Sequence, residues 1–503
     1  MGASILQLSI PRTTKVLIAF VVGSSLIGCS FEPKLRVPPV PSDKMAYTAG
    51  KSPKKTVAPG GLAGKPQEIQ YGTELHEEWW KLFHSKALDA LIAVGLTNSP
   101  TIAAAQAQLL EAQATAKANA SIFYPQVSGS LESERVKSTS APFGGNGGIH
   151  YSLINSSVGV SYYPDIFGVN RLVYRNSEEL VHYQQWELEE ARLTMTGDIV
   201  TTAVEAAATI GEIHATQAII GREKKLLNLT ENQYHVGAID YSSVMTQKSQ
   251  LASELATLPP LEQDLAVYRH ELAILVGDFP ANAKRYHFTL TALKLPEKLP
   301  ISIPSELLKQ RPDIRAALSQ MKAANAQIGE ARAAFYPTVE LTASFGDAAS
   351  NPGIFFDPVS SIWSLVGSMS QPLFEGGKLE AQKAEAHAAY DDDYANYRST
   401  VLSAFDQVAN DLRAVEHDAQ TLAAQREALS ASREALKLAE ASYRAGASDY
   451  LTLLTAEVQY STAKIAEIKA QSQRYQDTAS LLVAMGGGWW NKPGVKLATT
   501  KPA

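Results

Sequence analysis

Few residues in this chain stand where chemistry would need them. His76-Glu77-Glu78 begins like a zinc-binding helix but lacks the second histidine of the ligand pair. Asp391-Asp392-Asp393 places three carboxylates in a row, which on a helix reads as a solvated face rather than a metal site. The stretch Ala141–Gly148 is rich in Gly and Asn but has no Lys-Ser/Thr ending, which a phosphate-cradling loop requires. Cys29 is the only cysteine, so no disulfide or thiolate metal centre can form within one chain. The expectation is no catalytic residue, no cofactor and no metal. A net charge of −6 leaves no electrostatic footprint for nucleic acid.

Cys29 has a different use. Arg12 and Lys15 precede the apolar run Val16–Ile27, which is shorter than the ~20 residues a spanning helix needs. The run ends Leu26-Ile27-Gly28-Cys29, which resembles a bacterial lipobox. Residues 1–28 then form a lipoprotein signal peptide, and Cys29 is the lipid-modified first residue of the mature chain. Ser30 follows instead of Asp, which resembles an outer-membrane address. Residues 29–70 are rich in Pro, Gly and Lys and can bury little apolar surface. They read as an extended, lipid-anchored tether.

The elements beyond the tether are duplicated. Arg311–Gly346 repeats Ser99–Glu134 without a gap at an offset of 212: Pro312 matches Pro100, and Phe335-Tyr336-Pro337 matches Phe123-Tyr124-Pro125. Each copy opens a helix on proline, where the missing N–H costs nothing, and stops it at a second proline. Downstream, Tyr234, Gly237 and Asp240-Tyr241 recur at an offset of 209 as Tyr443, Gly446 and Asp449-Tyr450. The organisation is a first repeat at 71–280, a connector at 281–305, a second repeat at 306–490 and a tail at 491–503. After each aromatic-Tyr-Pro the period becomes two, as in a strand with one apolar face. Val127, Gly129 and Leu131 alternate with Ser128, Ser130 and Glu132, and Val339, Leu341, Ala343 and Phe345 alternate with Thr338, Glu340, Thr342 and Ser344. The repeats therefore carry one β-hairpin each, at about 126–163 and 338–372, with strands of ~10 residues, long enough to cross a membrane.

Very long helices join the hairpins. In the second copy an apolar seam runs Tyr394, Tyr397, Val401, Ala404, Val408, Leu412, Val415, Ala419, Leu422, a mean step of ~3.5 residues as in a coiled coil. The helix is expected from about Gly377 to Arg444, ~100 Å at 1.5 Å per residue. Gly446 and its counterpart Gly237 cap the turns. A return helix follows from about Asp449 to Met485. Its first-copy equivalent is expected to break at Pro259-Pro260. Four strands cannot close a barrel, and an open edge in lipid leaves backbone groups unpaired at several kcal/mol each. Three chains would supply twelve strands and a bore wide enough for a channel.

The chain resembles the outer-membrane factor family, the TolC-like trimeric channels of tripartite efflux pumps. It is most similar to the lipoprotein branch that works with resistance-nodulation-division pumps. The stretches that carry this are Trp79-Trp80…Phe83, Arg311-Pro312-Asp313-Ile314, Phe335-Tyr336-Pro337, Pro372-Leu373-Phe374-Glu375-Gly376-Gly377, Tyr443…Gly446…Tyr450-Leu451-Thr452-Leu453-Leu454 and Gly486-Gly487-Gly488-Trp489. The resemblance implies a membrane α+β fold with internal duplication. A twelve-stranded outer-membrane β-barrel, four strands per protomer, continues into a twelve-helix periplasmic α-barrel. A mixed equatorial region includes Tyr71–Leu96, Asp278–Ser305 and the residues after Gly486. The implied partners are two further copies in a homotrimer, a periplasmic adaptor protein, an inner-membrane pump of the resistance-nodulation-division type and outer-membrane lipid.

The implied activity is that of a passive duct carrying small, drug-like molecules outward. An exit duct for type I protein secretion shares the architecture and is the alternative. A lipid-anchored hydrolase finds no constellation here, and the hairpins argue against a coiled-coil scaffold. The narrowest point is expected where the long helices turn back, at Tyr443–Thr455 and Tyr234–Thr246. By the resemblance, Leu451 and Thr455 face the lumen as a constriction. The family's gate usually carries Asp at the position of Thr455 and often Arg at that of Val458; both are absent. A closed gate would then rest on Leu451 and on hydrogen bonds among neighbours such as Tyr443 and Asp449.

Overall fold

A computed structural model of the chain describes residues 31–39, 41–42, 45–49, 53–139 and 148–491. The expected signal peptide at 1–28, Cys29, residues 140–147 and residues 492–503 lie outside the described residues. The chain forms two compact units. One comprises residues up to 37 with 110–183 and 318–396; the other comprises 38–109, 184–317 and the chain from 397 on. Strand β1 (Glu68–Tyr71) precedes α1 (Lys86–Asn98), α2 (Pro100–Ala120), β2 (Gln126–Thr139), β3 (Gly148–Tyr162), α3 (Val169–His235) and α4 (Tyr241–Leu275). Then come β4 (Lys298–Ile301), α5 (Pro304–Gln310), α6 (Pro312–Ala333), β5 (Thr338–Ala349), β6 (Ser361–Ser370), α7 (Lys378–Arg444) and α8 (Tyr450–Ala484).

The duplication is metrically close. Helices α3 and α7 both have 67 residues, and α4 and α8 both have 35. The seam of α7 is buried at Val408, Val415, Leu422, Leu429, Leu436 and Tyr443, a strict heptad over five steps. One expectation fails. Pro259 and Pro260 lie inside α4, which continues through them. The two missing N–H groups orphan the carbonyls of Leu255 and Ala256, and both residues are exposed, so water can take the carbonyls. On the opposite side Leu258, Leu261 and Leu265 pack against Ala206, Ile210 and Ile213 of α3 and hold the helix together.

The first unit is built on an antiparallel sheet of order β2-β3-β5-β6. Its register sorts the side chains. Val127 pairs with Val160, Val158 with Phe345, Phe345 with Trp363, and Ala343 with Leu365, all on one face. The other face carries Ser130 bonded to Ser157 at 2.9 Å and Ser344 bonded to Ser364 at 2.8 Å. Gly346 is required where β5 meets β3, because a Cβ there would come within 1.9 Å of the Ser156 carbonyl oxygen. Among the described residues, strands β2 and β6 each pair along one side only.

The second unit has a large apolar core around Trp79, Phe83, Ile92, Ile199, Leu272, Leu299 and Leu481. Arg311, from the sequence signature at the start of α6, binds Asp313 at 2.8 Å, Gln407 at 3.0 Å and the Ala484 carbonyl at 2.9 Å. It thereby ties α6 to α7 and to the end of α8. The expected tether is firmly held in its second half. Its last residues enter β1, which pairs in parallel with β4. Buried Arg474 donates to the Ala63 and Lys65 carbonyls and to Thr56 Oγ1, and Arg426 donates to the Leu62 carbonyl. Arg413 donates to the Ala49 carbonyl at 2.8 Å. Charged donors to main-chain carbonyls fix a segment too polar to be held by apolar burial.

Candidate channel turns and membrane sheet

The two helical turns have the same backbone. Gly446 (φ 71°) follows α7, with its N–H on the Tyr443 carbonyl at 3.0 Å and the Ala447 N–H on the Ser442 carbonyl at 2.9 Å. Gly237 (φ 72°) follows α3 with the equivalent bonds at 2.9 and 2.8 Å. A side chain at either position would be strained, since only glycine enters the left-handed region at no cost. Asp449 then caps α8: its carboxylate accepts from the Thr452 N–H at 2.8 Å and from the Thr452 hydroxyl. These bonds hold its carboxyl below the usual carboxylate range, the hydroxyl contributing most. Asp240 stands at the same place before α4 and makes no side-chain cap bond.

The side chains around the turns differ. Tyr443 is 6% exposed and Tyr450 9%, edge to face at 6.2 Å within a cluster of Leu226, Leu436, Ala439, Leu453 and Ala456. The Tyr443 hydroxyl donates to Gln233 Oε1 of α3. The Tyr450 hydroxyl donates to Gln247 Oε1 of α4, whose amide nitrogen donates to the Glu223 carboxylate. Beside them Glu457 is buried, and burial first, then Glu223, pushes its carboxyl up to about 8. Burial likewise raises Glu223. Two carboxyls in one dry site cannot both ionise cheaply, so the pair holds a proton. All four long helices contribute to this network.

Of the residues singled out from sequence, Tyr443 reaches across to the other repeat, while Asp449 serves only its own helix. Leu451 is 64% exposed, and Thr455 and Val458 are exposed on the same stripe of α8. The Thr455 hydroxyl donates to the Leu451 carbonyl one turn back, at 2.8 Å. Gln233, Gln247, Glu223, Tyr450 and Glu457 were not legible as a group. A glutamate on a helix reads as solvated, and only its place on a buried seam betrays it. The run Asp391-Asp392-Asp393 lies on α7 with Asp391 and Asp392 exposed. Among the described residues no group of three or more His, Cys, Asp or Glu could hold a metal ion, and no single helix is long and apolar enough to cross a membrane.

The face of the sheet bearing Val127, Leu131, Val158, Phe345, Trp363, Leu365 and Met369 leaves these side chains exposed. It is an apolar surface bounded by polar residues on the opposite face, as a lipid-facing barrel wall is.

Known proteins share these features. A family model described as Outer membrane efflux protein matches residues 91–278 and 303–487. The pyoverdine export outer membrane protein OpmQ of Pseudomonas putida is 28% identical over 420 residues, 82% of this chain and 88% of that protein. The antibiotic efflux pump outer membrane protein ArpC of Pseudomonas putida is 27% identical over 486 residues, 96% of this chain and 97% of that one. The solved structure of the outer-membrane channel OprN superposes with a TM-score of 0.82 at 25% identity, covering 92% of this chain and all of that one. With its duplicated long helices and its one-sided apolar sheet, the chain belongs to the outer membrane efflux protein family.

Proposed function

We propose that three copies of this outer-membrane efflux channel subunit close one passive duct, with twelve strands in the membrane and twelve helices reaching into the periplasm. One observation carries the reading: a four-stranded sheet with a lipid-type face has, among the described residues, two edges without a partner strand. In hydrocarbon such edges must be paired, and four strands are too few to pair with each other around a bore. Other copies of the same chain supply the missing edges. The duct performs no chemistry of its own; an inner-membrane pump of the resistance-nodulation-division type drives transport, and a periplasmic adaptor docks on the helical turns. Small, drug-like molecules are the cargo. Lipid on Cys29 assists anchoring, because a closed apolar belt inserts more firmly than an acyl chain. Leu451 and Thr455 line a neutral constriction.

Chemical cross-linking of the purified protein in detergent should give a ladder that ends at three chains; a ladder ending at one or two refutes the duct. In planar bilayers Leu451→Ala should raise single-channel conductance. Thr455→Asp should shift selectivity toward cations, as a carboxylate ring does. If neither changes the current, the constriction lies elsewhere.

A further inference from the structure

The sheet sorts charge as well as polarity. Its described strands contain three basic side chains: Arg135 and Lys137 on β2 and His150 on β3. The register pairs Arg135 with Ser152 and Lys137 with His150, and by strand alternation all three share the face of Val127, Leu131, Val158 and Val160. Three of the four carboxylates, Glu132, Glu134 and Glu340, stand on the opposite face. Only Asp347 shares the apolar side, and it lies at the level of Leu131 through its pairing with Ser156.

The position of the basic group along the strands is specific. The outward apolar residues stop at Trp363 and Phe345 on the second hairpin and at Leu131 and Ile154 on the first. Arg135 is the next outward residue after the Ser133–Ile154 pair, and Lys137 follows it. Arg135 lies about 14 Å beyond Leu131 along β2 at ~3.4 Å per residue. Both side chains are exposed, and neither takes part in an ion pair among the described residues. The longer first hairpin therefore carries cations just past the apolar belt, on the side that faces lipid, at the end remote from the helices.

We propose that Arg135 and Lys137, with His150 beside them, bind the phosphate groups of lipid headgroups in the outer leaflet. The inference rests on the barrel described above, which fixes this face outward. A guanidinium and an ammonium two residues apart on one strand face match two neighbouring phosphate oxygens, the guanidinium through two parallel hydrogen bonds and the ammonium as a point charge. The nearby belt holds the acyl chains of the same lipid, so one molecule is gripped at both ends. Without lipid, Arg135 and Lys137 have no carboxylate in ion-pair reach among the described residues.

Full-length protein purified in a neutral detergent is mixed with lipid A, with dephosphorylated lipid A, or with inorganic phosphate. Bound lipid is counted by native mass spectrometry and the melting temperature is recorded. Wild-type protein should retain lipid A and melt several degrees higher with it, but not with the other two. Arg135→Gln/Lys137→Gln should retain at least threefold less, and Arg135→Lys should recover most of the binding. Equal retention by the double variant and wild type overturns the proposal. Equal protection by inorganic phosphate also overturns it, since the site would then read a free anion. Failure of the barrel reading looks different: the chain would stay in solution without detergent, whatever is added.

Discussion

The two helical turns were built from one sequence plan and ended in opposite environments. Tyr234 and Tyr241 correspond to Tyr443 and Tyr450, residue for residue. The first pair is 40% and 54% exposed; the second is buried and hydrogen-bonded to the other repeat. At the position of buried Glu457 the first copy has Lys248, in an open ion pair with Glu231 at 3.4 Å. Identical backbone turns therefore do not make equivalent sites. The second turn is locked within its own chain. The first presents two tyrosines to solvent, a large and half-apolar exposed surface.

This asymmetry predicts unequal responses. The largest should come from Tyr450→Ala, which empties a packed cluster at a cost of about 3 kcal/mol or more. Hydrogen exchange in the first turns of α8 should rise at least tenfold, and channel conductance should rise with it. Tyr241→Ala should leave exchange at the start of α4 within a few-fold. Equal losses at the two sites would mean that the first turn is not the open site its exposure indicates.

A pH effect should come next. Glu457 is raised above an ordinary glutamate, and Glu223 and Glu440 face it, with Arg222 the opposing cation. In the folded chain the proton is held at pH values where the unfolded chain has lost it. The stabilising contribution is therefore full below pH ~4.5 and lost as pH climbs toward about 8. Once the intrinsic, base-catalysed rise in exchange rate is divided out, the protection of the second turn should be several-fold lower at pH 8 than at pH 5, and that of the first turn should stay constant. Glu457→Gln should flatten the dependence. A dependence that survives this substitution would clear the carboxyl pair of any role.

The smallest contrast concerns the caps. Asp449→Ala removes two hydrogen bonds at the start of α8, whereas Asp240→Ala removes none at the start of α4. Fraying of the first turn, followed by exchange of the amides at 451–453 and 242–244, should increase only in the former. Equal fraying would mean that Asp240 caps its helix in solution.

Much of the architecture is written locally and was readable. Pro100 and Pro312 open their helices, Asp449 and Gly446 delimit the second turn, and the alternation from Thr338 to Phe345 sets the faces of β5. Each depends on the residue itself and a few neighbours. Pro259-Pro260 shows the limit of local rules: a double proline breaks a helix unless the freed carbonyls meet water and the far side is well packed. The buried network fails for another reason. Nothing in Tyr234 and Tyr443 taken singly says which one will be covered; that depends on Gln233, Gln247 and Glu223 arriving from other helices. The arginines on the tether are equally silent, since an exposed surface pair and a clasp on main-chain carbonyls look alike in sequence.

That clasp bears on biogenesis. Arg474 lies 411 residues after Ala63 and 418 after Thr56, and Arg413 and Arg426 lie 364 after the carbonyls they hold. A chain made from its N-terminus produces the strap first and the arginines that fasten it last. Local helices can form long before this loop closes, since distant contacts wait on the rest of the chain. The strap thus becomes a stamp of completion: a chain cut short before Arg413 has made β1 and its first hairpin but none of the three arginines that fasten the strap, which stays open to a protease that the finished protein would not feed.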